Sequence, residues 1–120
     1  MPGNGSAFLA TKGSGFAGTE TREELDFAAR FQLQASPAVM ARGMLGILEY
    51  DATTVLKEIN VPALVLAGDR DSVCKPEASE RMKRDILDAQ LTHLAPAKHM
   101  GLIEHHTRFA RIVRTFASLC

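Results

Sequence analysis

Two residues of this chain have the types and the placement of an acid–base pair. Asp71 follows the apolar run Val61-Pro62-Ala63-Leu64-Val65-Leu66-Ala67 and the short turn Gly68-Asp69-Arg70. His99 follows a second, shorter run, Leu91-Thr92-His93-Leu94. A carboxylate beside an imidazole fixes one tautomer and stabilises the charged ring, so the pair can take a proton from a hydroxyl nucleophile. The nucleophile itself has no evident candidate. Ser6 and Ser14 lie among glycines, but neither has a glycine two positions away on both sides.

Other reactive residues carry less. Asp69 reads as a turn residue paired with Arg70 or a backbone amide. Cys74 could attack a substrate only as a thiolate with a base within roughly 3 Å, and reads as a small apolar filler. Cys120 is a terminal, exposed thiol. His99, His105 and His106 lack the His-Glu-x-x-His spacing of a metal helix, and Glu104 beside them does not complete a local ligand set. Gly13, Gly15 and Gly18 have the G-x-G-x-x-G spacing, but no strand–turn–helix context surrounds them, so nucleotide binding is not expected.

The elements that must position the pair are legible around it. Residues 1–20 hold five of the nine glycines and read as a flexible or loosely packed lead-in. Residues 21–59 read as a helical, cap-like segment. Thr21 with Glu24 is a capping box, which predicts a helix with Phe27, Ala28, Phe31 and Leu33 on its apolar positions. Ser36-Pro37 starts a second helix that is apolar on much of its surface, and Asp51 caps a third, short one. Residues 60–120 read as a β-α-β-α unit. The unbroken apolar run 63–67 predicts a strand covered on both faces, which is characteristic of a parallel sheet. A helix over Pro76–Leu87 crosses to the second strand. A final helix from about Thr107 has Phe109, Ile112, Val113 and Phe116 on one stripe and Arg108, Arg111 and Arg114 outside it.

Composition sets the outer bounds. The 120 residues are 46% apolar and 23% charged, with 14 basic and 14 acidic side chains. One globular domain fits this length, and the charge balance offers no footprint for nucleic acid. No apolar run approaches the roughly 20 residues that span a bilayer, and no secretory leader is evident. Two cysteines do not form a disulfide framework, so a cytoplasmic setting is expected. Two parallel strands alone leave faces and edges open. The expected remedy is a larger α/β domain, a partner chain completing the sheet, or self-association.

From about Ala35 to Cys120 the sequence resembles the carboxyl-terminal part of an α/β-hydrolase, in the esterase, lactonase and non-haem haloperoxidase-like branch. The residues that carry the resemblance are the helix Ser36–Tyr50, Asp51 through Leu56, Ile59-Asn60-Val61-Pro62, Leu64 through Val73, and His99-Met100-Gly101-Leu102-Ile103-Glu104. The resemblance implies an α/β fold of two parallel strands with flanking helices and a helical cap segment. It makes Asp71, rather than Asp69, the acid and His99 the base of a catalytic triad, with no cofactor and no metal. The implied chemistry is serine hydrolysis of an ester, lactone or related small apolar carbonyl compound. The family carries its serine on a G-x-S-x-G elbow upstream of these elements, and no such pentapeptide occurs here. The chain is therefore expected to supply acid and base only. The alternative is a non-catalytic, truncated fold acting through self-association or a protein partner.

Overall fold

The computed structural model describes residues 9–120, so Ser6 lies outside the described residues. The described residues begin with Leu9 and Ala10 in helical conformation, leading into a π-helical turn, Thr11–Gly15, followed by helices α1 (Arg22–Gln32) and α2 (Pro37–Glu49) and a 3-10 turn, Val55–Glu58. Strand β1 (Ala63–Gly68), helix α3 (Pro76–Asp85) and strand β2 (Ala89–Leu94) come next. A short helix α4 (Gly101–Glu104) and the longer α5 (His106–Ala117) end the chain.

Local chemistry accounts for most of these boundaries. Thr21 Oγ1 accepts from the Glu24 N–H while the Glu24 carboxylate accepts from the Thr21 N–H, a complete capping box at the start of α1. Ser36 Oγ accepts from the Val39 N–H, and Pro37 follows at the first helical position of α2. Asp51 does not cap residues 55–58 as expected: their N-cap is Thr54, without a side-chain cap bond, and Asp51 Oδ1 accepts instead from the N–H and the hydroxyl of Thr53 in the preceding turn.

β1 and β2 pair in parallel, Ala63 opposite Ala89 through Gly68 opposite Leu94, and α3 makes the crossover between them. Among the described residues these two strands are the whole sheet. Burial along β1 alternates, with Val65 and Ala67 buried and Leu64 and Leu66 only half-buried. A sequence suited to cover on both faces is thus fully covered on one. α5 lies toward the other face, where Leu64, Gln90 and Thr92 line a groove with Ile112 and Phe116.

A separate small core joins the start of the chain to its end. Phe16, Leu25 and Ala28 are buried together, and Met100 and Ile103 pack against them. Phe16 is 2% exposed, within the glycine-rich lead-in. α1 buries Leu25, Ala28 and Ala29 rather than the face of Phe27 and Phe31. Those two rings stack on each other with centroids 6.3 Å apart and remain exposed. The reason is geometric: positions 25, 28 and 29 share one helical stripe, and that stripe meets Phe16. α2 buries none of its residues, although Met40, Met44, Leu45, Ile47 and Leu48 are all apolar. Among the described residues no helix is long and apolar enough to cross a membrane.

Candidate active site

The parallel register puts the carboxyl ends of β1 and β2 side by side, Gly68 opposite Leu94. Loops leaving adjacent strands at that end are where α/β sheets gather functional residues. Two backbone hydrogen bonds and one to a side chain lock the two loops together. The Asp69 N–H donates to Leu94 O at 3.1 Å, the Arg70 N–H to Ala97 O at 2.9 Å, and the Ala97 N–H to Asp69 Oδ1 at 2.7 Å. Asp69 is therefore a strut between the loops, and its other oxygen lies 3.7 Å from Arg70 Nε.

Gly68 permits this approach. A Cβ built there would lie 2.6 Å from the carbonyl oxygen of Lys98 and 2.7 Å from that of Ala97, both closer than real contacts allow. The histidine loop thus runs directly over the end of β1, and only a residue without a side chain leaves room.

With the loops so held, Asp71 and His99 meet. Asp71 Oδ2 accepts from His99 Nδ1 at 3.0 Å. Asp71 Oδ1 accepts from the N–H groups of Val73 at 2.8 Å and Cys74 at 2.9 Å. Both carboxylate oxygens are engaged, which fixes the plane of the acid. Burial pushes the Asp71 carboxyl upward, but the hydrogen bond from His99, the amides of Val73 and Cys74 and the charge of His99 together hold it below its ordinary value. It stays ionised at neutral pH, as an orienting acid must. Asp71 is buried whereas the His99 side chain is 38% exposed, so the base faces outward from a shielded acid.

The histidine loop is anchored from three further directions. The Met100 N–H donates to Gly15 O at 2.7 Å, and Lys98 Nζ donates to Gly13 O at 2.6 Å. His105 Nε2 donates to Pro96 O at 2.6 Å and closes the loop from below. Glu104, buried at the end of α4, accepts from the Ala17 N–H with both oxygens and from the N–H and hydroxyl of Thr19 with one. Burial raises the Glu104 carboxyl, but the Thr19 hydroxyl and the Ala17 and Thr19 amides outweigh it, leaving the group below its usual range.

The structure thus brings Asp71 and His99 together and sets His105 and His106 apart from them. His105 is spent on Pro96 O, and His106 Nδ1 lies 3.1 Å from Ile103 O and 3.4 Å from Glu24 Oε1. Ser14 Oγ donates to Ala10 O within its own turn. Cys74 is exposed, and one ligand-type atom from each of Asp71, Cys74 and His99 lies within 4.8 Å of the other two. Nothing local in the sequence marks Glu104 as an anchor, because its partners stand 85 and 87 positions away. A cleft of about 130 Å³ runs beside the pair, lined by Leu66, Asp71, Cys74, His99, Leu102 and Phe109 among others. Ligand pockets are usually roughly 300–1,000 Å³, so this cleft is a fraction of one.

No protein-family model matches the chain. Among curated proteins, it is 26% identical over 81 residues to a pimeloyl-[acyl-carrier protein] methyl ester esterase of Neisseria meningitidis serogroup C, covering 68% of this chain and 32% of that one. It is 30% identical over 79 residues to the enzyme of the same name from Nitrosospira multiformis, covering 65% of this chain and 30% of that one. The chain spans about a third of the length of these curated relatives. Among solved structures it superposes on a serine hydrolase involved in carbazole degradation, the CarC enzyme, with a TM-score of 0.73 at 20% identity. That superposition covers 95% of this chain and 46% of the other.

Proposed function

We propose that this chain, which folds as the carboxyl-terminal portion of an α/β-hydrolase, supplies the acid and the base of a serine-type carbonyl hydrolysis. The observation that carries the reading is the 3.0 Å hydrogen bond between His99 Nδ1 and Asp71 Oδ2, delivered from the ends of two adjacent parallel strands. With the Nδ1 proton held on Asp71, the lone pair of His99 is on Nε2. That nitrogen accepts the serine proton as the hydroxyl attacks the carbonyl carbon. The imidazolium so formed is stabilised by the ionised Asp71, then returns the proton to the leaving alcohol as the acyl-enzyme forms. A water activated by the same nitrogen hydrolyses the acyl group, and no cofactor takes part.

Substrate class follows from the relatives only in outline. The curated relatives named above are methyl ester esterases, which supports an ester, lactone or related small carbonyl compound. The serine and the oxyanion-hole amides come from residues outside this sequence, which has no G-x-S-x-G. The edge of β1 left unpaired among the described residues and the half-covered Leu64 and Leu66 are where further strands and cover belong in this reading.

A direct assay decides between this reading and its opposite. The 120-residue chain is measured for p-nitrophenyl ester turnover alone and after mixing with, or fusion to, an α/β-hydrolase amino-terminal segment bearing the serine elbow. Turnover is expected only in the complemented sample. Serine-dependent turnover by a stable monomer of the lone chain would overturn the proposal.

A second reading, non-catalytic association with itself or a protein partner, draws on the exposure of α2. Leu45 is 63% exposed and Leu48 82% exposed on a helix with no buried residue. Contiguous apolar surface of this kind marks interaction faces. Complementation without any turnover would favour it.

A further inference from the structure

Cys74 is not used by the hydrolytic reading, yet it stands at the acid–base pair. Its backbone N–H donates to Asp71 Oδ1 at 2.9 Å, within a turn that also engages the Val73 N–H at 2.8 Å. That turn sets the thiol beside the carboxylate and the imidazole, with one donor atom from each of Asp71, Cys74 and His99 mutually within 4.8 Å. Among the described residues this is the one set of three metal-ligating side chains so gathered. Thiolate, imidazole and carboxylate are the donors favoured by zinc and its thiophilic neighbours.

The dimensions suit a tetrahedral ion. Bonds of roughly 2.0–2.3 Å place tetrahedral ligands roughly 3.3–3.8 Å apart, and the three donor atoms all lie within 4.8 Å of one another, so the set closes by about an ångström at most. Two of the three can do so: Cys74 is exposed and the His99 side chain is 38% exposed. Asp71, buried and held by two amides, is the fixed corner. Three protein ligands leave a fourth position for water.

We propose that Asp71, Cys74 and His99 form a site for a thiophilic divalent cation such as zinc, and that its occupation switches the acid–base pair off. Cys74 loses its thiol proton to solvent on binding. Either ring nitrogen gives the same consequence. A cation on Nδ1 takes that nitrogen's lone pair in the other tautomer, with the ring proton on Nε2, so Nε2 has no lone pair for the serine proton; a cation on Nε2 occupies that lone pair directly. Metal binding and general-base action therefore exclude each other. The binding half of this proposal stands without the hydrolytic reading.

Cobalt(II) chloride is the probe, titrated into the 120-residue chain under reducing, chelator-free conditions. A thiolate-to-cobalt charge-transfer absorption saturating at one equivalent is expected, and competition by zinc should abolish it. Cys74→Ser should remove the charge-transfer band, and His99→Ala should weaken cobalt binding at least about tenfold. Cys120→Ser should leave both unchanged. Far-ultraviolet circular dichroism confirms that each variant is folded. A band that survives in Cys74→Ser, or no band in the wild-type chain at millimolar cobalt, overturns the site. In the complemented esterase, zinc should inhibit wild type and spare Cys74→Ser. Binding without that selective inhibition would overturn the switch alone.

Discussion

Thr19 holds Glu104 twice, its N–H and its hydroxyl donating to the same carboxylate oxygen at 3.0 and 2.6 Å. Ala17 adds its N–H to both oxygens, at 3.1 and 3.0 Å. Through this clasp the glycine-rich start of the chain is tied to the helix that follows the candidate base. Its neighbours Gly13 and Gly15 grip Lys98 and Met100 on either side of His99. The position of the base therefore depends on residues far from it in sequence.

Removing the clasp should loosen the fold. Glu104→Ala strands the amides of Ala17 and Thr19 in a partly buried place, which costs about 1–3 kcal/mol. Urea unfolding should show a lowered midpoint with an unchanged slope. Thr19→Val should lose part of that amount, while Thr19→Ser, which keeps the hydroxyl, should stay near wild type. An unshifted midpoint in Glu104→Ala would mean that the clasp contributes nothing.

Acid should act through the same carboxylate and through Asp71. Both are held below their ordinary values, 4.5 for Glu104 and 3.8 for Asp71, so the unfolded chain binds more protons than the folded one in that range. Their contribution is complete at neutral pH and is lost as the pH falls below those ordinary values and through the folded ones. Stability measured between pH 7 and pH 3 should decline at the acid end. The decline should be shallower in Glu104→Gln, and an equal slope in both proteins would contradict the assignment.

In the complemented enzyme, Asp71→Asn should lower kcat by roughly 10²–10⁴-fold, because the amide no longer holds His99 in the productive tautomer. His99→Ala should fall at least as far. Asp69→Asn keeps an oxygen able to accept from the Ala97 N–H and should retain most turnover. If Asp69→Asn proves the more damaging of the two acids, the assignment of Asp71 is wrong.

Gly68→Ala should be severe for a residue so small. The added methyl would meet the backbone oxygens of Lys98 and Ala97 at 2.6 and 2.7 Å, and backbone cannot swing aside as a side chain can. Overpacking of this kind costs about 1–3 kcal/mol, and the histidine loop must shift to relieve it. Thermal unfolding should show the loss. The His99 imidazole resonances in NMR should move with it, whereas Gly43→Ala, where nothing lies within 4 Å, should move neither.

The lone chain should associate through its open surfaces. Leu45→Lys with Leu48→Lys places charge on the exposed face of α2 and should shift the mass in solution toward the monomer. A wild-type chain that is monomeric at all concentrations would remove the basis for this expectation.

What the sequence determined by itself was most of what short-range chemistry sets. The capping box at Thr21 and Glu24, the Ser36-Pro37 helix start and the apolar strand after Pro62 all depend on neighbours within a few positions. The pairing of Asp71 with His99 was legible for a related reason. Parallel strands joined by one crossover must bring their carboxyl ends together, so a residue just past each end becomes a neighbour of the other. Tertiary structure alone decided the rest. Phe16 lies in a stretch with no periodicity, and it is buried because Leu25, Ala28, Met100 and Ile103 converge on it from distant parts of the chain. The choice of the Leu25–Ala28–Ala29 face of α1 over Phe27 and Phe31 follows from that convergence. Asp69 became a strut and Glu104 a clasp because loops from other elements present amides to them. Such contacts join residues far apart in sequence, where spacing carries no information, and only the packed chain assigns them.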